Sequence, residues 1–153
     1  MTLSRKALKS LAGDASGASL VEAAIAIPVV IIVLAGAFDF GRAYATLSTA
    51  QRGLRSATRF LSTLPQSGVC GWGLTQAKNL AVFGNTAGTG SSPIVGWGTT
   101  NISLASPSNC TGSSIGVIEL DTTVPFTAVT WSFVGLPNSI TLSTSHQERW
   151  IGG

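Results

Sequence analysis

The stretch Gly17-Ala18-Ser19-Leu20-Val21-Glu22 stands directly before residues 23–38, which carry no charge and are almost wholly apolar. As a helix rising about 1.5 Å per residue, residues 18–38 would reach about 30 Å, enough to cross a bilayer. Glu22 is the one acidic residue in this segment, and a charge inside a membrane helix costs about 3 kcal/mol on insertion-derived scales. Such a group normally has a partner or a purpose, so Glu22 is the first candidate functional residue.

A short basic leader precedes the apolar segment. A secretory signal has its small-residue cleavage site after the apolar region, whereas here Gly17 and Ala18 come before it. This order resembles a prepilin peptidase site, with cleavage between Gly17 and Ala18 and with Glu22 as the fifth residue of the mature chain. The alternative is a plain membrane anchor that keeps residues 1–17.

Composition limits the remaining functions. The chain has 153 residues, room for one small domain beside the apolar helix, and only 10% of them are charged. Residues 65–153 contain only Lys78 and Arg149 as basic residues. Because a phosphate backbone is bound by clustered Lys and Arg, we expect no nucleic-acid partner.

The two cysteines, Cys70 and Cys110, both follow the apolar segment, and His146 is the only histidine. Four Cys or His ligands for zinc cannot be assembled from this set, so we expect no metal and no other cofactor. A disulfide between the cysteines would stabilise the domain by roughly 4 kcal/mol in the chain-entropy model and would indicate an oxidising compartment. Two reduced, buried cysteines are the alternative and would indicate a cytosolic domain.

Apolar residues recur at steps of three and four beyond the apolar segment, from Phe40 and Tyr44 to Leu54 and Leu61. This spacing predicts that one helix continues over residues 18–61 with an amphipathic second half. Pro65 is expected to end it, with a domain boundary near residue 64.

Three residues in the helix have special backbone properties. Pro28 lacks an N–H and is expected to bend the helix inside the lipid. Gly36 and Gly41 lack side chains, which favours close approach of neighbouring helices.

Residues 65–153 predict an α+β domain. A short helix is expected over residues 75–83, capped by Thr75 and ended by Gly84. Alternating apolar residues predict strands at 102–104, at 117–124 and from 140 towards 150, which together form a small antiparallel sheet with a helix on one face. Trp72 and Trp97, each between two glycines, are expected to fill the core, with sugar stacking as the alternative.

Sequence motifs for catalysis are missing: the chain has no nucleophile elbow, no phosphate-binding loop and no dinucleotide fingerprint. General acid–base chemistry needs positioned titratable groups, which residues 65–153 hardly contain. We therefore expect that the protein is not an enzyme, and a periplasmic hydrolase is the enzymatic alternative.

A family resemblance depends on Glu22, Pro28 and Gly36, followed by Asp39-Phe40-Gly41-Arg42 and Gln51-Arg52-Gly53-Leu54-Arg55. Over roughly residues 13–62 the chain resembles the TadE-like proteins of bacterial tight-adherence (Tad) pili. The resemblance implies a minor pilin or pseudopilin that a prepilin peptidase trims. Its implied partners are other pilins or pseudopilins, the inner-membrane pilus assembly platform and membrane lipid.

The resemblance also implies a topology. Residues 1–17 would be the leader, residues 18–64 a long helix with a transmembrane segment at about 20–38, and residues 65–153 a periplasmic domain. Basic residues lie on both sides of the apolar segment, so orientation rests on the cysteines and the resemblance. The expected location is the bacterial inner membrane, single-pass with a cytoplasmic N-terminus, with the extracellular pilus as a second location. A membrane-anchored periplasmic module that binds glycan or peptidoglycan, with an uncleaved N-terminus, is the alternative.

Overall fold

The computed structural model describes residues 15–108, 115–131 and 135–152. Within these described residues, three helices come first, and a 3-10 turn then leads into three strands. The helices are α1 (Ala15–Ser62), α2 (Gln66–Val69) and α3 (Trp72–Phe83). The 3-10 turn is Thr99–Asn101, and the strands are β1 (Ile102–Ser106), β2 (Val117–Thr127) and β3 (Ser139–Arg149). The predicted α+β fold, a long helix followed by a small antiparallel sheet with a short helix, is confirmed.

Helix α1 is continuous over 48 residues and passes through Pro28. Its last turn tightens, because the amide of Leu64 donates to the carbonyl of Leu61 three residues earlier, at 3.1 Å. Pro65 follows with extended backbone and starts α2. The predicted end of the helix is therefore confirmed, while its start at Ala15 places the Gly17–Ala18 bond inside the helix.

The sheet has the order β1-β2-β3, and both pairs of neighbours are antiparallel. The central strand β2 turns alternate residues inwards, so that one face of the sheet is buried and the other is open. The buried residues of β2 are Ile118, Leu120, Thr122, Val124 and Phe126.

The core lies between this sheet face, α3 and the second half of α1. The apolar α1 residues that are fully buried there are Ala50, Leu54, Ala57 and Leu61. Phe40 and Tyr44, which share the apolar spacing with Leu54 and Leu61, are 76% and 70% exposed. Periodicity finds apolar stripes on a helix, but it does not say which stripe faces the helix's own domain.

Helix α3 begins earlier than predicted. Its N-cap is Gly71 and not Thr75, and no side chain caps it. A Cβ at Gly73 would overlap the side chain of Leu64, so this first turn lies against the end of α1. At the other end the prediction holds, since Gly84 has a φ of 72° and its amide donates to the Leu80 carbonyl at 3.0 Å.

Gly53 marks the closest approach of α1 and α3. A Cβ built on Gly53 would overlap the carbonyl oxygen of Ala81 and lie 3.1 Å from the ring of Trp97. The two helices therefore pack closely only because this position has no side chain.

We expect Gly53→Ala to destabilise the folded domain by about 1–3 kcal/mol, the usual cost of overpacking. Gly41→Ala is the matched control on the same helix, because a Cβ there meets nothing within 4 Å. It should be neutral or stabilising by up to about 1 kcal/mol, since alanine favours helix more than glycine does. Denaturant unfolding of the detergent-solubilised chain, followed by near-UV circular dichroism, measures both, and equal stabilities would contradict the packing argument.

Candidate functional site

The predicted cleavage and assembly residues lie together at the start of α1. Gly17, Ala18 and Glu22 are all exposed, and a Cβ built on Gly17 meets nothing within 4 Å. Glu22 follows Ala18 by four residues, so the two lie one turn apart on the same side of the helix. Residues 1–14 of the predicted leader lie outside the described residues.

The apolar part of α1 is bare. From Gly17 to Ser62, helix α1 is long and apolar enough to cross a membrane. The rest of the described chain buries none of the most apolar stretch of this helix. Ile27 and Phe38, for example, are 56% and 63% exposed. The core helix of a water-soluble domain would be covered by its own domain, so this stretch is suited to contact lipid or other helices.

The structure places Pro28, Gly36 and Gly41 along this bare helix. Pro28 lies within the exposed stretch, and a Cβ built on Gly36 or Gly41 meets nothing within 4 Å. These glycines therefore present uncovered backbone, and their packing against neighbouring helices stays a prediction.

Asp39 directly follows the apolar stretch of α1 and is only 1% exposed, and its carboxylate accepts several hydrogen bonds. Its Oδ1 accepts a hydrogen bond from the amide of Val129 at 3.2 Å. Its Oδ2 accepts from the amide of Thr130 at 2.9 Å and from the Thr130 hydroxyl at 2.5 Å. One carboxylate thus joins α1 to the chain that leaves β2.

Arg42, one turn further along α1, completes this set of contacts. Its guanidinium donates to Asp39 Oδ1 at 3.2 Å and lies 3.5 Å from the carbonyl of Thr127. It also lies 5.5 Å from the centre of the Phe126 ring, within the range of a cation–π contact. We call the contacts among Asp39, Arg42, Val129 and Thr130 the Asp39 clamp.

The donors of the Asp39 clamp hold the carboxyl group in its ionised form. The hydroxyl and then the amide of Thr130 lower the pKa of Asp39 most, and the Val129 amide and Arg42 contribute further. Burial acts in the opposite direction, and the pKa of Asp39 falls from 3.8 to about 2. The carboxylate is therefore charged at neutral pH and in mild acid.

Sequence reasoning noticed Asp39 and Arg42 only as part of the family resemblance and assigned them no role. One signal could have found them. An acidic residue directly after a membrane-length apolar run needs compensation, and an arginine three residues later lies on the same face of the helix.

The two tryptophans that stand between glycines, Trp72 and Trp97, differ in their exposure to solvent. Trp97 is 3% exposed and its Nε1 donates to Thr122 Oγ1 at 2.8 Å, so its predicted core role is confirmed. The same prediction for Trp72 is wrong, because Trp72 is 56% exposed.

Cys70 is disulfide-bonded. Cys110, its predicted partner, lies outside the described residues, so the pairing stays a prediction.

The part of the chain that the structure describes contains no candidate metal-binding site. Among residues 15–108, 115–131 and 135–152, no three His, Cys, Asp or Glu side chains come together as metal ligands would. His146 is half-buried on β3, and its Nε2 lies 3.9 Å from Oε2 of Glu148.

These features define a class: a protein with one bare apolar helix, long enough to span a membrane, that is joined to a small α+β domain. Within that class, residues 17–59 match the family model described as TadE-like protein. The match begins at Gly17, includes Glu22, Asp39 and Arg42, and ends inside α1, which confirms the resemblance seen in the sequence. The comparisons with curated proteins and with solved structures each found no match.

We expect Asp39→Asn to open the Asp39 clamp. Whichever way the new side-chain amide turns, one of the Val129 and Thr130 amides loses its acceptor and faces an NH₂ group. Hydrogen exchange at these two amides, measured by mass spectrometry in mild detergent, should accelerate relative to the unchanged chain. Asp121→Asn is the control, since Asp121 is half-buried on the open face of β2, and it should leave that exchange unchanged. Full protection in Asp39→Asn would contradict the assignment.

The contribution of Asp39 should also depend on pH in a defined direction. Its pKa is lowered in the fold, so the stabilisation is fully present above the ordinary value of 3.8 and is lost as pH falls through about 2. The difference in exchange between the unchanged chain and Asp39→Asn, corrected for intrinsic rates, should therefore persist from neutral pH down to that ordinary value. A difference that disappears already in mild acid would contradict the lowered pKa.

Proposed function

We propose that the protein is a minor pilin or pseudopilin that takes part in assembly of a Tad-type (type IVb-like) pilus, after a prepilin peptidase cleaves it behind Gly17. The observation that carries this proposal is the family match. It starts at Gly17 and covers a bare apolar helix with Glu22 one turn beyond Ala18. The role is structural and not enzymatic.

Cleavage would leave the amino group of Ala18 at the tip of an apolar helix. A cation entering a membrane or filament core needs a counter-charge. Glu22 lies one turn away and is exposed, so its carboxylate can meet this amine in the same subunit or in a neighbouring one. Such a pair favours one axial register between helices over the others.

The proposed location is the bacterial inner membrane, with the segment at about 20–38 crossing once, the N-terminus in the cytoplasm and residues 65–153 in the periplasm. The disulfide at Cys70 supports the periplasmic side, because disulfides persist in oxidising compartments. From there the protein would enter the extracellular pilus or remain with the assembly machinery.

The proposed partners follow from this role. They are the prepilin peptidase, other pilins or pseudopilins, the inner-membrane pilus assembly platform and membrane lipid. Nucleic acid is not among them, because the domain lacks clustered basic residues.

A second candidate function is that of a membrane-anchored periplasmic module that binds glycan or peptidoglycan. The observation that favours it is Trp72, whose ring is 56% exposed, because exposed aromatic rings bind apolar faces of ligands. This candidate keeps residues 1–17, so the mature N-terminus distinguishes the two functions.

Processing gives the first test. The intact mass of the membrane-extracted protein should correspond to a chain that begins at Ala18. Gly17→Phe should leave the full-length precursor, because the peptidase must admit the backbone at that bond, whereas Gly13→Phe within the leader should still be processed. A mature protein that begins at Met1 would reject the pilin proposal and favour the anchored binding module.

The charge of Glu22 gives the second test. If its carboxylate meets an Ala18 amine, Glu22→Gln leaves a buried cation unpaired, at a cost of about 3–5 kcal/mol per contact. Pilus production and recovery of other pilins should then fall sharply, while the amount of mature protein in the membrane stays the same. Glu119→Gln on β2 removes a charge of the same kind far from the helix tip and should have no effect. Normal pili in Glu22→Gln would reject the ion pair but leave the processing proposal intact.

A further inference from the structure

The connection between β2 and β3 is described at residues 128–131 and 135–138, which lie beside the apolar half of α1. We call these two described parts the β2–β3 loop. Trp131 and Leu136 line a groove of about 230 Å³ together with Ile31, Ile32, Ala35 and Gly36. The loop thus extends from the sheet towards the membrane-spanning segment of the helix.

The position of the loop along the axis of α1 indicates how deep the loop would lie in a membrane. At about 1.5 Å per residue, Ala35 and Ile31 lie about 6 and 12 Å from Asp39, on the side of the apolar stretch. Residues of the loop contact this length of helix, since Thr130 Oγ1 lies 3.5 Å from the carbonyl oxygen of Ala35. Trp131 and Leu136 therefore lie beside the end of the apolar stretch, and whatever fills their groove with Ile31, Ile32, Ala35 and Gly36 also contacts them.

The composition of the loop fits an apolar surrounding. Val129 and Leu136 are 56% and 54% exposed in the monomer, and the chain carries no Asp, Glu, Lys or Arg between Asp121 and Glu148. A tryptophan at this height matches the enrichment of Trp at the boundary between headgroups and acyl chains.

Four described amides of the loop have hydrogen-bond partners, which suits a surrounding of low polarity, where an unpaired N–H is costly. The amide of Ala128 donates to the Asn138 carbonyl at 2.7 Å, and the amide of Leu136 donates to the Trp131 carbonyl at 3.1 Å. The amides of Val129 and Thr130 donate to Asp39. The Asp39 clamp therefore satisfies two loop amides that would otherwise need water.

We propose that the β2–β3 loop is a second membrane contact of this protein, which inserts Trp131, Leu136 and Val129 among the acyl chains at the headgroup boundary of the leaflet that faces the folded domain. The inference rests on the proposed membrane span of residues 20–38. Acyl chains occupy the groove between the loop and α1, so the domain lies against the membrane surface. The protein then leaves the bilayer only when the loop and the helix are withdrawn together.

Nitroxide labels on single introduced cysteines test this in the full chain, reconstituted in vesicles of phosphatidylethanolamine and phosphatidylglycerol. Labelling is done without reductant, and the unchanged chain supplies the background. Leu136→Cys and Val129→Cys report on the loop, and Val95→Cys is the aqueous control because Val95 is 95% exposed and belongs to another loop. We expect the ratio of relaxation by oxygen to relaxation by a water-soluble nickel chelate to be several-fold higher at the loop sites than at residue 95.

Two results would overturn the inference. Equal nickel accessibility at residues 136, 129 and 95 would place the loop in water. Protection of the loop sites from both oxygen and nickel, with line broadening that disappears on dilution with unlabelled protein, would show that a second copy and not lipid covers the groove. Ile27→Cys separates this failure from that of the membrane span, because a label at residue 27 stays in lipid if only the loop inference is wrong.

Discussion

The carboxylate of Asp39 is the contact on which the arrangement of this molecule depends. It lies where the bare apolar stretch of α1 ends, and it is 1% exposed yet ionised. A buried charge must have partners, and three of its four donors come from Val129 and Thr130, some 90 residues along the chain. The end of β2 is therefore held at a fixed height on the helix, and the position of the sheet relative to the apolar stretch follows from it.

The surroundings of the continuous helix α1 change at the Asp39 clamp. Beyond Asp39 the helix buries Leu54 and Leu61 against its own sheet and α3, whereas before Asp39 the large apolar side chains are more than half exposed. No break separates the two halves, so one continuous helix joins the exposed apolar stretch to the folded domain. A stiff connection of this kind suits a protein whose helix packs among other helices while its domain is held in one orientation.

Sequence patterns predicted the features of helices and strands that depend on neighbouring residues. They failed for features that depend on contacts between residues far apart in the chain. The alternation in β2 identified its buried face, and Gly84 identified the end of α3, since both signals reside in neighbouring residues. Thr75 failed as a cap because α3 packs its first turn against the end of α1, a contact that no local pattern contains. The partners of Asp39 at Val129 and Thr130 were not predicted for the same reason, since they become its neighbours only when the sheet folds onto the helix.

The Asp39 clamp makes different demands on the helix and on the sheet. Its two helix residues, Asp39 and Arg42, lie within the family match over residues 17–59. On the helix side, the clamp requires a carboxylate at one position, and Arg42 one turn away supports it. On the sheet side it requires mainly two backbone N–H groups, which every residue except proline supplies, and one hydroxyl. The contact thus constrains the sequence of the helix strongly and that of the domain weakly. A helix of this kind can hold domains of different sequence in the same place, provided that a strand ends beside its acidic residue.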